Sequence, residues 1–131
     1  MKKVLITAAI ALTTVGAYAS DTSKFAPPNA AEIKITGDAA KGAATYKMFC
    51  ASCHGATGKG DGAAAAALNP KPRDFADKER MSQIADWEIL KVIKDGGASI
   101  GLSPLMTPWG AVLQTDEKLQ DVAAFVRSLS N

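Results

Sequence analysis

One histidine and two cysteines are the whole supply of nitrogen and sulfur ligands of that kind in this 131-residue chain. A structural zinc ion takes four such ligands, so the pool falls short of one site. Aromatic residues make up only 6% of the sequence, which is little for the core of even a small domain. No apolar stretch reaches the roughly 20 residues of a membrane-spanning helix. Excess charge is also missing. Lys2 and Lys3 account for the whole surplus of 15 basic over 13 acidic residues, so the chain beyond them is formally neutral and carries no sign of a nucleic-acid surface. There is no internal repeat. No grouping of acid, base and nucleophile suggests hydrolysis or group transfer.

The scarce residues are all in one place: Cys50-Ala51-Ser52-Cys53-His54. Two cysteines three apart, followed at once by histidine, form the attachment pattern of a c-type haem. Each thiol can add across one haem vinyl group, and His54, the next residue, can bind the iron through Nε2. A single helical turn carries both sulfurs and the imidazole on one side. Other readings fit less well. A thioredoxin-like redox pair expects a βαβ setting, and the flanks here are helix and loop. A disulfide between Cys50 and Cys53 would close a very small loop, with little stabilisation to gain. One covalent haem is therefore expected. It would supply the centre that the few aromatics cannot, with apolar side chains packing on both of its faces.

The N-terminus points to export. Lys2 and Lys3 precede a short apolar run from Val4 to Val15, and Ala17-Tyr18-Ala19 is a small-x-small cleavage site. A signal peptide over 1–19 is expected to be removed, leaving Ser20 first. The run is too short for a permanent anchor, so no stable membrane insertion is expected and the protein should be periplasmic. Residues 20–36, with Pro27-Pro28 and no clear periodicity, read as a flexible leader. Residues 37–131 read as one monohaem domain.

Within that domain Asp38 is a good N-cap for a helix from Ala39 to Phe49 that runs into the Cys50 turn. Gly42 and Tyr46 share one of its faces. A glycine inside a helix costs about 1 kcal/mol relative to alanine, which the close approach of a second helix would offset. Glycines at 55, 58, 60 and 62 mark a loop. It resembles a phosphate loop faintly, but no strand precedes it and no Ser or Thr follows Lys59. Ala63–Ala67 suggests a short helical turn, and Pro70 and Pro72 an extended segment through Phe75. A second helix over Asp86–Lys94, capped by Asp86, stops at Gly96-Gly97. A loop with Pro104 and Pro108 follows. The last helix runs from about Asp116 to Leu129 behind Thr115, with Leu119, Val122, Ala123, Val126 and Leu129 at helical spacing. No strand pattern is present, so the expected fold class is all-α.

Taken together, these residues resemble class I cytochrome c, a small monohaem family, over roughly Thr36 to Ser130. The resemblance rests on the capped helix with Gly42 and Tyr46, the Cys50–His54 motif, Ser103-Pro104-Leu105-Met106-Thr107-Pro108-Trp109-Gly110, and Val122-Ala123-Ala124-Phe125-Val126. The stretch from Gly58 to Phe75 looks like a bacterial periplasmic subgroup. The resemblance implies a cytochrome c fold in which short helices and loops wrap around one haem. It also implies that the first and last helices cross, so that Gly42 and Tyr46 meet Val122 and Phe125. Ala63 stands where related sequences often have proline, so the carbonyl that orients His54 is left open.

The second axial ligand must come from elsewhere, and with no histidine left it should be methionine. Met1 leaves with the signal, and Met48 lies on the helix leading into the motif. Met81 and Met106 remain. Met106 sits between Pro104 and Pro108 in a loop that can be held extended across a flat ring, whereas Met81, in a polar stretch, suits core filling. Met106 is favoured, in large part through the family resemblance. The expected set is therefore Cys50 and Cys53 as thioethers, with His54 and Met106 on the iron. Such an iron has no open position. The expected function is a periplasmic carrier of single electrons, not an enzyme, working as a monomer between redox partner proteins that act as donor and acceptor. The alternatives are an electron-entry subunit of an oxidoreductase complex and a gas-binding haem sensor.

Overall fold

The computed structural model describes residues 21–131, and the signal peptide expected over 1–19 lies outside the described residues. The described chain is all helical, with six α-helices, three short 3-10 turns and no strand. Helix α1 spans Ala39–Phe49. It starts where Asp38 accepts hydrogen bonds from the amides of Ala40 (2.8 Å) and Lys41 (3.4 Å), which satisfies two of the amides a helix start leaves unpaired. Helix α2, Ala51–His54, follows after Cys50 alone. Helix α3 is Lys78–Ser82, α4 is Asp86–Asp95, α5 is Gly110–Leu113 and α6 is Asp116–Ser128. Thr115 caps α6 by accepting the Lys118 amide at 3.2 Å, and Asp116 and Glu117 add negative charge to its first turn.

Helices α1 and α6 form the main packing contact. A Cβ built on Gly42 would collide with the Asp121 carbonyl and stand 2.9 Å from the Val122 nitrogen, so the two backbones touch there. One turn further along, the Tyr46 ring packs on Phe125 with centroids 4.8 Å apart. The crossing implied by the family resemblance is the observed one. Gly37, which the sequence reading passed over, makes a second backbone approach against Gln120 and Asp121. Around this axis Ile89, Leu90 and Ile93 of α4 and Leu113 of α5 complete the core, together with Met81.

Two expectations need correction. Asp86 is not the cap of α4. Ala85 holds that position, its amide donating to Glu88 at 2.9 Å, while the Asp86 carboxylate accepts from the Ile35 amide (3.0 Å) and the Arg127 guanidinium (2.6 Å). A better partner set from distant chain drew Asp86 away from its local role. The polar stretch around Met81 and the stretch that follows Pro108 carry no helix in the sequence reading, yet they hold α3 and α5. Each is under two turns, too short for periodicity to show.

Residues 21–36, read as a leader, lie along α4 and α6. Thr22 donates its hydroxyl to Glu88 at 2.5 Å, and the Thr36 amide donates to Gln120 at 2.8 Å. Ile33 and Ile35 pack on the core. Among the described residues, no helix is long and apolar enough to cross a membrane.

Candidate haem site

Cys50 closes the C-terminus of α1, its amide donating to the Tyr46 carbonyl at 2.8 Å, and α2 then carries Cys53 and His54. Both thiols are free and partly exposed. Burial pushes the Cys50 thiol up to about 11, with Cys53 adding a smaller push in the same direction, so it is held as a neutral thiol. Such a short helix leaves its last carbonyls unpaired, and the glycine loop supplies their donors. The Gly60 amide donates to the His54 carbonyl at 2.8 Å, and the Gly62 amide to the Cys53 carbonyl at 3.1 Å. Gly60 has φ +73°, and a Cβ there would collide with the Pro72 carbonyl. The glycines thus serve close backbone approach rather than phosphate binding. Tyr46 closes the arrangement from the other side. Its buried hydroxyl donates to the Gly55 carbonyl at 2.8 Å, and burial raises its pKa above the ordinary tyrosine value.

The His54 ring is held in two ways. Its Nδ1 donates to the Arg73 carbonyl at 3.2 Å, which supplies the carbonyl that the sequence left open. A carbonyl can only accept, so the proton sits on Nδ1 and the lone pair on Nε2, the tautomer a metal requires. Burial is the main cause that lowers the His54 pKa, which favours the neutral imidazole. On its flat side the ring stacks against Phe75, with centroids 4.4 Å apart and planes 16° from parallel. Sequence reading places Phe75 at the end of an extended segment and of the stretch that resembles the periplasmic subgroup, with no role at the site. Nothing in its spacing marks it, since stacking depends on how the chain folds back from Pro72.

The methionines are sorted by their surroundings. Met81 is 1% exposed inside the core, and Met48 is 72% exposed on the outer side of α1. Met106 is partly exposed in the loop between α4 and α5. Ser103 to Met106 form a turn rather than an extended run, closed by the Met106 amide on the Ser103 carbonyl at 3.2 Å. Proline at the second position of such a turn, with serine before it, is the favoured arrangement. The loop is pinned to the end of α4 by the Gly97 amide, which donates to the Met106 carbonyl at 2.8 Å. Trp109 anchors its far side, its amide donating to the Ile93 carbonyl at 2.9 Å and its ring 5.4 Å from that of Phe49.

Free thiols at the start of one short helix and within it, and an imidazole with its Nε2 lone pair available, are the chemistry that covalent haem attachment requires. Residues 37–126 match the family described as cytochrome c oxidase, cbb3-type, subunit III. The chain belongs to this family of c-type cytochromes. As a c-type cytochrome it carries covalent haem c, and its class is electron transfer. No curated protein matches the cytochrome significantly. Among solved structures it is similar to a chain of the reducing HAO-like protein complex of Kuenenia stuttgartiensis. The two are 31% identical, the match covers 74% of this cytochrome and 44% of that chain, and the TM-score is 0.55. The cytochrome therefore spans less than half the length of that relative.

Proposed function

We propose that residues 37–131 form a monohaem domain that passes single electrons, with Cys50 and Cys53 holding the haem and His54 and Met106 as its axial ligands. The observation that carries this reading is the His54 setting: Nδ1 is committed to the Arg73 carbonyl at 3.2 Å, which leaves Nε2 for the iron. When bound, the haem supplies a one-electron couple at iron. The residues around it do the rest. Arg73 fixes the imidazole tautomer. The glycine loop closes the carbonyl end of α2. The 103–106 turn presents Met106 from a segment tied to α4, whose thioether favours the reduced iron and raises the potential. Export with cleavage after Ala19 would bring both thiols to the compartment where such a protein works.

The test is Met106→Ala in the haem-loaded protein. The variant should bind carbon monoxide in the ferrous state and lose potential, while the wild type should do neither. Rapid carbon monoxide binding by the wild type would defeat the closed-site reading and favour a gas-binding haem. A second reading is favoured by a specific observation. The family takes its description from an oxidase subunit, and the structural relative comes from a protein complex. The domain would then be the electron-entry module of a larger oxidoreductase. Purification from its native source separates the two, since a carrier elutes as a free monomer and a subunit elutes with its assembly.

A further inference from the structure

We propose that Phe75 is a positioning residue that sets the plane of the His54 imidazole, and so selects the orbital of the iron that carries the unpaired electron in the oxidised state. The inference rests on the reading of His54 as axial ligand. A hydrogen bond from Nδ1 to the Arg73 carbonyl fixes one direction in the plane of the ring. The ring is also tethered at Cβ, but hydrogen-bond angles are soft enough to let it rock about that line. A flat surface against one face removes this freedom, and Phe75 supplies one at 4.4 Å and 16°.

Phe75 can act as a fixed surface because its own place is fixed. Its amide donates to the Gly58 carbonyl at 2.6 Å. A Cβ on Gly58 would lie 3.3 Å from the Phe75 Cβ, so the glycine loop and the Phe75 backbone are in close contact. Asp74 accepts the Ala76 amide at 2.8 Å and fixes the turn that follows. Phe75 also packs against the core cluster. Both constraints on His54 therefore come from one tripeptide, Arg73-Asp74-Phe75. Core filling alone would not require near-parallel rings, because isolated aromatic pairs adopt tilted and edge-on arrangements as readily.

The experiment uses the ferric, haem-loaded protein and the proton resonances of the four haem methyl groups. Unpaired spin reaches the methyls unequally when the axial imidazole keeps one orientation, so their shifts spread widely in the wild type. Phe75→Leu keeps apolar bulk but loses the flat face. Its methyl shifts should draw together as the ring samples a range of orientations, and Phe75→Tyr should restore the wild-type spread. A Phe75→Leu protein with an unchanged spread and only a lower denaturation midpoint overturns the proposal. His54→Ala separates the two claims, since a wild-type spread in that variant would refute His54 as ligand rather than Phe75 as its guide. If Phe75→Leu does not accumulate with haem, the ferrous wild type decides. Nuclear Overhauser contacts between the Phe75 and His54 rings are expected there, and their absence overturns the proposal.

Discussion

Gly42→Ala tests the helix crossing in the sharpest way, because two effects of opposite sign meet at one atom. On an open helix face the added methyl would stabilise the protein by about 1 kcal/mol through helix propensity. At Gly42 the methyl would overlap the Asp121 carbonyl and sit 2.9 Å from the Val122 nitrogen. Both are main-chain atoms of α6, so no side-chain rotation relieves the clash. The helices must part, and the contacts of Tyr46 and Val122, each 1% exposed, loosen together. Overpacking of this kind costs about 1–3 kcal/mol. With no flexible neighbour the upper end applies. Subtracting the propensity gain leaves a net loss of about 2 kcal/mol.

For a domain of this size that loss lowers the melting temperature by about 10 °C. The assay is thermal or urea unfolding of the haem-loaded protein, followed by far-ultraviolet circular dichroism. Ala44→Gly, on the exposed face of α1, is the control: it should lose about 1 kcal/mol from propensity alone. Gly42→Val adds two further carbons to the same clash and should be worse than Gly42→Ala. A melting temperature for Gly42→Ala that is unchanged or higher would refute the reasoning, since it would mean that α6 yields without loss.

Met81→Ala should cost about 2–5 kcal/mol as a buried cavity yet leave the reduction potential in place, whereas Met106→Ala should shift the potential; redox titration beside denaturation separates them. Tyr46 should not ionise in the folded protein across the ordinary tyrosine range near pH 10, because burial raises its pKa. Its contribution to stability is complete below that pH and is lost as the pH rises further, so its phenolate absorbance should appear only with unfolding. Deleting residues 20–36 should lower stability by about 2 kcal/mol through the lost burial of Ile33 and Ile35 and the lost amide bonds to Asp86 and Gln120; an unchanged urea midpoint would show that the segment adds nothing.

How far the sequence could be read depended on the range of the interactions involved. Caps such as Asp38 and Thr115 were legible because their partners lie two or three residues away. The apolar spacing of α4 and α6 showed for the same reason. Asp86 has equally good local credentials and still serves Ile35 and Arg127 instead, a choice that only the folded chain can make. Arg127 escaped notice altogether. It donates to the Met81 and Ile84 carbonyls as well as to Asp86, and so ties α6 to the junction of α3 and α4. The proposed ligands were legible because histidine and cysteine are scarce. The groups that orient them, the Arg73 carbonyl and the Phe75 ring, are a backbone atom and an ordinary aromatic, and carry no such mark.

Tyr46 connects the helix crossing to the Cys50–His54 motif. Its ring belongs to the α1–α6 crossing, where it packs on Phe125. Its hydroxyl reaches the end of the Cys50–His54 motif, where it donates to the carbonyl of Gly55, the residue after His54. A disturbance of the crossing is thus passed to the backbone beside the proposed iron ligand through one rigid side chain. The link can be cut without disturbing the packing. Tyr46→Phe keeps the ring and removes the shorter of the two bonds that the Gly55 carbonyl accepts, leaving the one from the Gly58 amide at 3.2 Å, at a cost of about 1 kcal/mol. If the hydroxyl serves only stability, the midpoint falls and the haem methyl pattern stays. If it steadies the segment that carries His54, the pattern moves as well. The geometry favours the second outcome, because the bonded carbonyl belongs to the residue that follows His54, whose own carbonyl accepts the Gly60 amide at 2.8 Å.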